Sequence, residues 1–351
     1  MNAAGSAPYT QLLMALSSPR PPVIADVARA AGVSVPTVSR VLTGAAKVSD
    51  EKRGRVMKAI EELGFVPSAA ARTLSWGRPQ LIGVIAGNTS RYGYAETIRG
   101  IEESSRASGF TVIITVVESP EDGEVDRAVS SVLGQSIAGL VVLKFDPPGV
   151  AALHRIPATI PTVAVSGVRE RGVPQAVINE SAAAKEVVEY LLGLGHATVH
   201  HVRIPPSRKE DGRTTGWRRA LIEHGRDVPA IVDATWEPES GRQVGLGLAD
   251  RPEVTAVFCG NDEIAMGLIR GIHETGRSVP GDVSVVGFDD HPLAAYHSPS
   301  LTTVRQDFCE LGGRSYKMLE AILQGHEASK YSSAKPPLIL RESTSAPRTH
   351  S

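Results

Sequence analysis

The stretch Ile24 to Leu42, IADVARAAGVSVPTVSRVL, sets two short apolar-periodic segments on either side of a glycine, and the fold of the first part of the chain turns on it. Ile24, Val27, Ala28 and Ala31 fall at helical spacing, Gly32 can take the left-handed conformation that ends a helix, and Ser34 can cap the next one. Val38, Val41 and Leu42 give the second helix a buried side, leaving Val35, Pro36, Thr37, Ser39 and Arg40 to face outward. An Arg with two hydroxyls on one exposed face suits phosphates and base edges. The pattern predicts a helix-turn-helix with that face as a reader of DNA; a plain helical hairpin is the competing reading.

Beyond Leu42, Gly44 should stop the second helix and Ser49 start a third, with Asp50 and Glu51 in its first turn where the helix dipole favours acids. Val56, Ala59, Ile60 and Leu63 form its apolar stripe, and Gly54 inside it should weaken the helix by about 1 kcal/mol relative to Ala. Residues 1–21 read as a disordered arm, because QLLMAL (Gln11 to Leu16) is too short for a signal-peptide core and no basic segment precedes it. Beyond the three helices of residues 22–66 comes PSAAARTL at Pro67 to Leu74, which holds at most about two turns of helix and should order only against a partner; a flexible linker over 67–79 is the plainer reading.

Charge supports a polyanion partner at this end. Residues 1–80 carry ten Lys or Arg against five Asp or Glu, net +5, whereas the rest holds 27 against 33, so the overall net charge of -1 hides a basic head on an acidic body. The two cysteines, Cys259 and Cys309, form no CxxC pair, which argues against a disulfide framework or a cysteine zinc site and fits a reducing cytoplasm. No apolar run approaches membrane-spanning length, so no membrane partner is expected.

From Leu81 the texture changes to short β-rich runs alternating with amphipathic stretches. The runs are LIGVIA, Phe110 to Val117, Gly139 to Leu143, Thr162 to Ser166, Thr198 to Val202, Thr255 to Cys259 and Val283 to Gly287, with helical stretches at Ala95–Ala107, Glu124–Leu133, Ser181–Leu192, Arg213–His224 and Asn261–Thr275. Such alternation predicts parallel sheets wrapped by helices, in two α/β lobes with a ligand cleft between them.

Six motifs in order then carry a family resemblance: DVARAAGVSVPTVSRVL, PSAAARTL, LGH at Leu194 to His196, GNDEIAMG at Gly260 to Gly267, VSVVGFDD at Val283 to Asp290 and LTTVRQDF at Leu301 to Phe308. From Val23 to Ser345 the sequence resembles the LacI/GalR family of bacterial transcription regulators. The resemblance implies a helix-turn-helix head, a hinge helix that forms on DNA, and a core of two parallel-sheet lobes like that of periplasmic sugar-binding proteins. By that analogy the effector-binding and dimerisation core spans 80–345, lobe one about 80–177 and 307–329, lobe two about 178–306 and 330–345, with a polar tail at 346–351. It further implies a homodimer on a pseudo-palindromic double-stranded operator; with no heptad repeat after Arg341, no tetramerising helix is expected.

Residue by residue, Ser34, Thr37 and Ser39 match family positions that hold phosphates, while Val35, Pro36 and Arg40 match those that face bases. Arg can bind guanine bidentately, whereas Val and Pro offer only apolar contact; Arg40 touching phosphate alone is the alternative. In the hinge, Leu74 matches the apolar wedge of the minor groove with Ala71 on the same face, or else Leu74 is buried in a domain interface. For the effector the resemblance points to Arg213, Asn261 and Asp289, with Trp236 and Gln306 lining the pocket and Arg91 and Tyr92 at its mouth. Taken singly, Asp289 could cap a turn, Trp236 could be core, and Arg213 could be an exposed first-turn residue. An Arg, an amide and a carboxylate beside an indole suit a mono- or oligosaccharide. Gly167 stands where some sugar-responsive members have a charged side chain, and Asn179-Glu180 replaces a frequent Asp-Asn pair, so a nucleobase stays open as effector. Val23 also departs from the usual Thr or Ser cap. No GxxxxGK[ST], HExxH or GxSxG is present and Asp289-Asp290-His291 lacks a nucleophile or metal-ligand spacing, so neither an enzyme, a metal nor a cofactor is expected. A free-standing transport protein conflicts with the basic head.

Overall fold

The computed structural model describes residues 20–42, 48–66, 79–167, 172–248, 250–327 and 329–348. The chain divides into two units, at Pro79 and Gln80.

In the first unit, α1 (Ile24–Ala31) ends on Gly32 at φ 63, α2 is Val35–Leu42, and α3 (Asp50–Leu63) ends on Gly64 at φ 59. Their apolar stripes meet in one small core of Val27, Ala28, Ala31, Val38, Val41, Val56, Ala59 and Phe65. Val23 has no side-chain acceptor to offer the helix start; Asp26 supplies half of a cap instead, its Oδ2 accepting from the Val23 amide at 2.9 Å. Gly44 and the hinge motif, including Ala71 and Leu74, lie outside the described residues.

The second unit contains two parallel sheets. The first has the order β11-β5-β4-β3-β1-β2, from β1 (Leu81–Ala86), β2 (Thr111–Val116), β3 (Ile137–Leu143), β4 (Thr162–Ser166), β5 (Gln175–Ile178) and β11 (Tyr331–Ala334). Its helices are α4 (Tyr92–Ala107), α5 (Asp122–Leu133), α6 (Pro147–Arg155) and α11 (Phe308–Leu323). The second sheet has the order β7-β6-β8-β9, from β6 (His200–Arg203), β7 (Val232–Asp233), β8 (Ala256–Cys259) and β9 (Ser284–Val286). Around it lie α7 (Glu180–Gly193), α8 (Gly212–Glu223), α9 (Pro238–Leu246) and α10 (Asp262–Glu274). A short antiparallel pair, β10 (Thr303–Val304) with β12 (Leu338–Ile339), joins this lobe.

The chain passes between lobes after β5, before α11 and after β11. Tyr331–Ala334 pairs in parallel with Gln175–Ile178, so the first lobe runs to Ala334 rather than ending at 329. YSSA carries no apolar run, because an edge strand needs little burial on either face, and periodicity could not register it. At the start of the tail Arg348 pairs with Asp282 at 2.7 Å, and just before it the Ser345 carbonyl accepts from the Ser284 hydroxyl at 3.0 Å. Helices α6 and α9 carry no stretch read as helical from periodicity; both begin at proline.

Glycines decide how closely α9 and α10 approach. A Cβ at Gly241 would lie 2.2 Å from the Ile264 carbonyl oxygen and one at Gly267 only 1.9 Å from that of Pro238, so the two backbones touch. That contact fixes the loop before α9 against the start of α10, both of which carry candidate site residues.

Candidate functional site

The strands of both sheets point their carboxyl ends into one cleft. Arg91 and Tyr92 follow β1, Lys144 and Phe145 follow β3, Gly167 follows β4, Ile204 to Ser207 follow β6, Trp236 follows β7, Asn261 follows β8 and Asp289 follows β9. Parallel strands with short connections put every such loop on the same side, which is why residues far apart in sequence converge.

Of the expected effector residues, Arg91, Tyr92, Arg213, Trp236, Asn261 and Asp289 all line this cleft. Gln306 does not; it is buried behind Asp289 and donates to Asp289 Oδ1. Arg213 is not an exposed first-turn residue of α8: it is 6% accessible, its guanidinium pairs with Glu180 Oε1 at 3.0 Å and Asp289 Oδ1 at 3.4 Å, donates to the Gly260 carbonyl, and lies 4.5 Å over the Phe288 ring. Asn261 caps α10, its Oδ1 accepting from the Ile264 amide at 3.0 Å, which leaves its amide nitrogen as the donor it can offer a ligand. Asp289 takes φ 115, a conformation rare for a side-chain-bearing residue and the kind of local strain that clusters at functional sites. Trp236 is half-buried: one part packs on the second lobe's core, the rest faces the cleft.

Two contacts cross the mouth between lobes. The Arg91 guanidinium sits 4.7 Å over the Trp236 ring, and Tyr92 meets His291 edge-on at 4.8 Å. Cation–π and edge-to-face pairs of this kind are each worth about 0.5–1.5 kcal/mol.

Several cleft residues escaped the sequence reading as ligands. Glu180, the first residue of α7, was noted only as a departure; Asp211, Glu263 and the buried Lys144 carried no sequence signal, the first two being ordinary helix-start acids. Asp211 caps α8 through the Thr214 amide at 2.7 Å, which occupies Oδ1. Asp211 Oδ2 and Glu263 Oε2 are buried without a hydrogen-bond partner. Burial raises the Asp289 carboxyl to about 7 against the downward pull of Arg213, and raises Glu180 for the same reason.

On the first unit, Ser34, Val35, Pro36 and Arg40 are exposed, and Thr37 and Ser39 are half-buried. The Ser34 hydroxyl lies 3.0 Å from that of Thr37, while its carbonyl accepts the first amides of α2. All six therefore lie on the solvent side of the helix-turn-helix, around Val38 and Val41 which hold it in place. Among the described residues no helix is long and apolar enough to cross a membrane, and no cluster of His, Cys, Asp or Glu could hold a metal.

Known proteins match both units. Residues 23–68 match the model for bacterial regulatory proteins of the lacI family, and residues 188–344 match a periplasmic binding protein-like domain. The HTH-type transcriptional repressor PurR of Klebsiella pneumoniae is 35% identical over 329 residues, covering 91% of this chain and 96% of PurR. A crystal structure of the Lac repressor dimer bound to operator and the anti-inducer ONPF superimposes with a TM-score of 0.85 at 29% identity, covering 93% of this chain and all of that one. The transcriptional regulator CelR in complex with cellobiose gives a TM-score of 0.68 at 27% identity, covering 92% of this chain and 99% of CelR. The chain belongs to the lacI family of bacterial regulatory proteins: it is a DNA-binding transcriptional repressor with an effector-binding core.

Proposed function

We propose that this repressor binds a pseudo-palindromic operator as a homodimer and that its DNA affinity is set by a mono- or oligosaccharide held in the cleft. The observation that carries the effector class is the pairing of an indole in the cleft wall, Trp236, which already holds a cation over its ring, with buried carboxylate oxygens that lack donors, Asp211 Oδ2 and Glu263 Oε2. A ligand rich in hydroxyls supplies those donors and stacks a ring on the indole; leaving such oxygens buried and unpaired costs about 1–3 kcal/mol each. CelR with cellobiose is a relative that holds such a ligand, and the Lac repressor dimer on its operator is the model for assembly.

On the DNA side, Arg40 donates to base edges while Val35 and Pro36 make apolar contact, Ser34, Thr37 and Ser39 hold phosphates, and Leu74 with Ala71 enters the minor groove from the hinge. Arg91 with Trp236 and Tyr92 with His291 join the lobes across the mouth. An effector that binds one lobe arrangement more tightly than another shifts their balance and so the spacing of the two hinges.

A thermal-shift screen of mono- and oligosaccharides with nucleobases tests this. A neutral sugar should raise the melting temperature in proportion to the logarithm of its concentration over its dissociation constant. If only nucleobases act, the sugar class is wrong; if DNA shifts the melting and no small molecule does, the effector reading falls.

A further inference from the structure

Gly167 and Glu180 share one space. A Cβ on Gly167 would lie 2.4 Å from Glu180 Oε2, so a side chain at 167 and the present position of the Glu180 carboxylate exclude each other. Gly212 keeps the same site open from the other side, its Cβ position 3.1 Å from that of Glu180. Through that opening Glu180 reaches Arg213 with Oε1, at 3.3 Å from Nε and 3.0 Å from one terminal nitrogen. The second carboxylate, on Asp289, and the Gly260 carbonyl take most of the remaining guanidinium donors, and the ring of Phe288 covers one face. The cation is thus matched by two carboxylates before any ligand enters, and all three side chains are buried, at 8%, 10% and 9% exposure for Arg213, Glu180 and Asp289.

We propose that Glu180 is a built-in counter-ion for Arg213 and a specificity-determining residue, restricting the Arg213 end of the cleft to uncharged, hydrogen-bond-donating ligands and turning away carboxylates and phosphates. The inference rests on the cleft being the effector site. The unpartnered oxygens of Asp211 and Glu263 act in the same direction, since each attracts a donor and repels an anion.

Glu180→Gln keeps the shape and removes the charge, leaving Arg213 partly uncompensated. Binding of inorganic phosphate and of gluconate, measured by titration calorimetry on the full chain, should tighten by about tenfold or more over the parent. Equal affinity in parent and variant overturns the proposal. Should Glu180→Gln not fold, the comparison passes to Glu180→Ala carrying either Gly167→Asp or Gly167→Asn, which refill the vacated space with and without a charge. The Asn version should then bind both anions more tightly than the Asp version, and equal affinities again overturn the idea. The outcome separates from the effector reading: an anion gain in the charge-free variants with no neutral sugar shifting any of them keeps the counter-ion and dismisses the sugar effector.

Discussion

Asp289 concentrates cost at a single residue: a strained backbone, full burial and a carboxyl raised to about 7 by desolvation. A folded-state acid raised above its unfolded value near 3.9 binds more protons in the folded state. Its contribution to stability is therefore complete below pH 4 and lost as pH rises towards 7. Asp289→Asn should gain stability relative to the parent across that window, and melting curves at pH 5 and pH 8 check it; a pH-independent difference would contradict the assignment. His201 works in the opposite sense. Enclosed between Phe258 and Trp217, it is pushed by burial down to about 4, so the core should lose stability as pH falls from 6.5 to 4. On the DNA side, Arg40→Ala should cost about 1–3 kcal/mol on operator and relax base preference. Equal losses on operator and random duplex, by anisotropy titration at one salt concentration, would assign Arg40 to phosphate instead.

At the scale of the element, glycine has opposite meanings in two helices. Gly54 sits in α3 with open space where its Cβ would be, so Gly54→Ala should stabilise the first unit by about 0.5–1 kcal/mol through backbone entropy. Gly267 sits in α10 against the Pro238 carbonyl, and Gly267→Val should cost about 1–3 kcal/mol or more as α9 is forced away. Because Trp236 leads into α9 and Asn261 caps α10, the same change should weaken effector binding. Thermal melts of both variants, with calorimetry on the second, read the two signs. Both glycines look alike in the sequence; only the packing of a second helix tells them apart.

For the core as a whole, two contacts cross the mouth between the lobes, and the proposed function makes them the link between ligand binding and lobe arrangement. Trp236→Ala removes the stacking face and the partner of Arg91 together while leaving most of the second-lobe core in place. The expected result is a large drop in sugar-induced stabilisation with a smaller drop in the ligand-free melting temperature. A saturating ligand at about a hundredfold excess over its dissociation constant is worth about 2.7 kcal/mol in the parent, so the loss is easily resolved.

The helix-turn-helix and the alternating α/β texture follow from local periodicity and capping in the sequence, and the six motifs pointed through the family resemblance to Arg91, Tyr92, Arg213, Trp236, Asn261 and Asp289. Val23 looked like a defect in the first helix until Asp26 was seen to serve its amide. The rest depends on pairs distant in the chain. The edge strand Tyr331–Ala334 has no apolar pattern and is defined by the backbone of β5. Gln306 was expected in the pocket wall and stands behind it, because its amide is committed to Asp289. Glu180 stood in the sequence only as a departure from a frequent Asp-Asn pair, and it is Gly167 and Gly212 that clear its way to Arg213. Burial, and with it the ionisation of Asp289 and the occupancy of Arg213, belongs to the assembled cleft, since desolvation is a property of everything around a charge and not of the residues beside it in sequence.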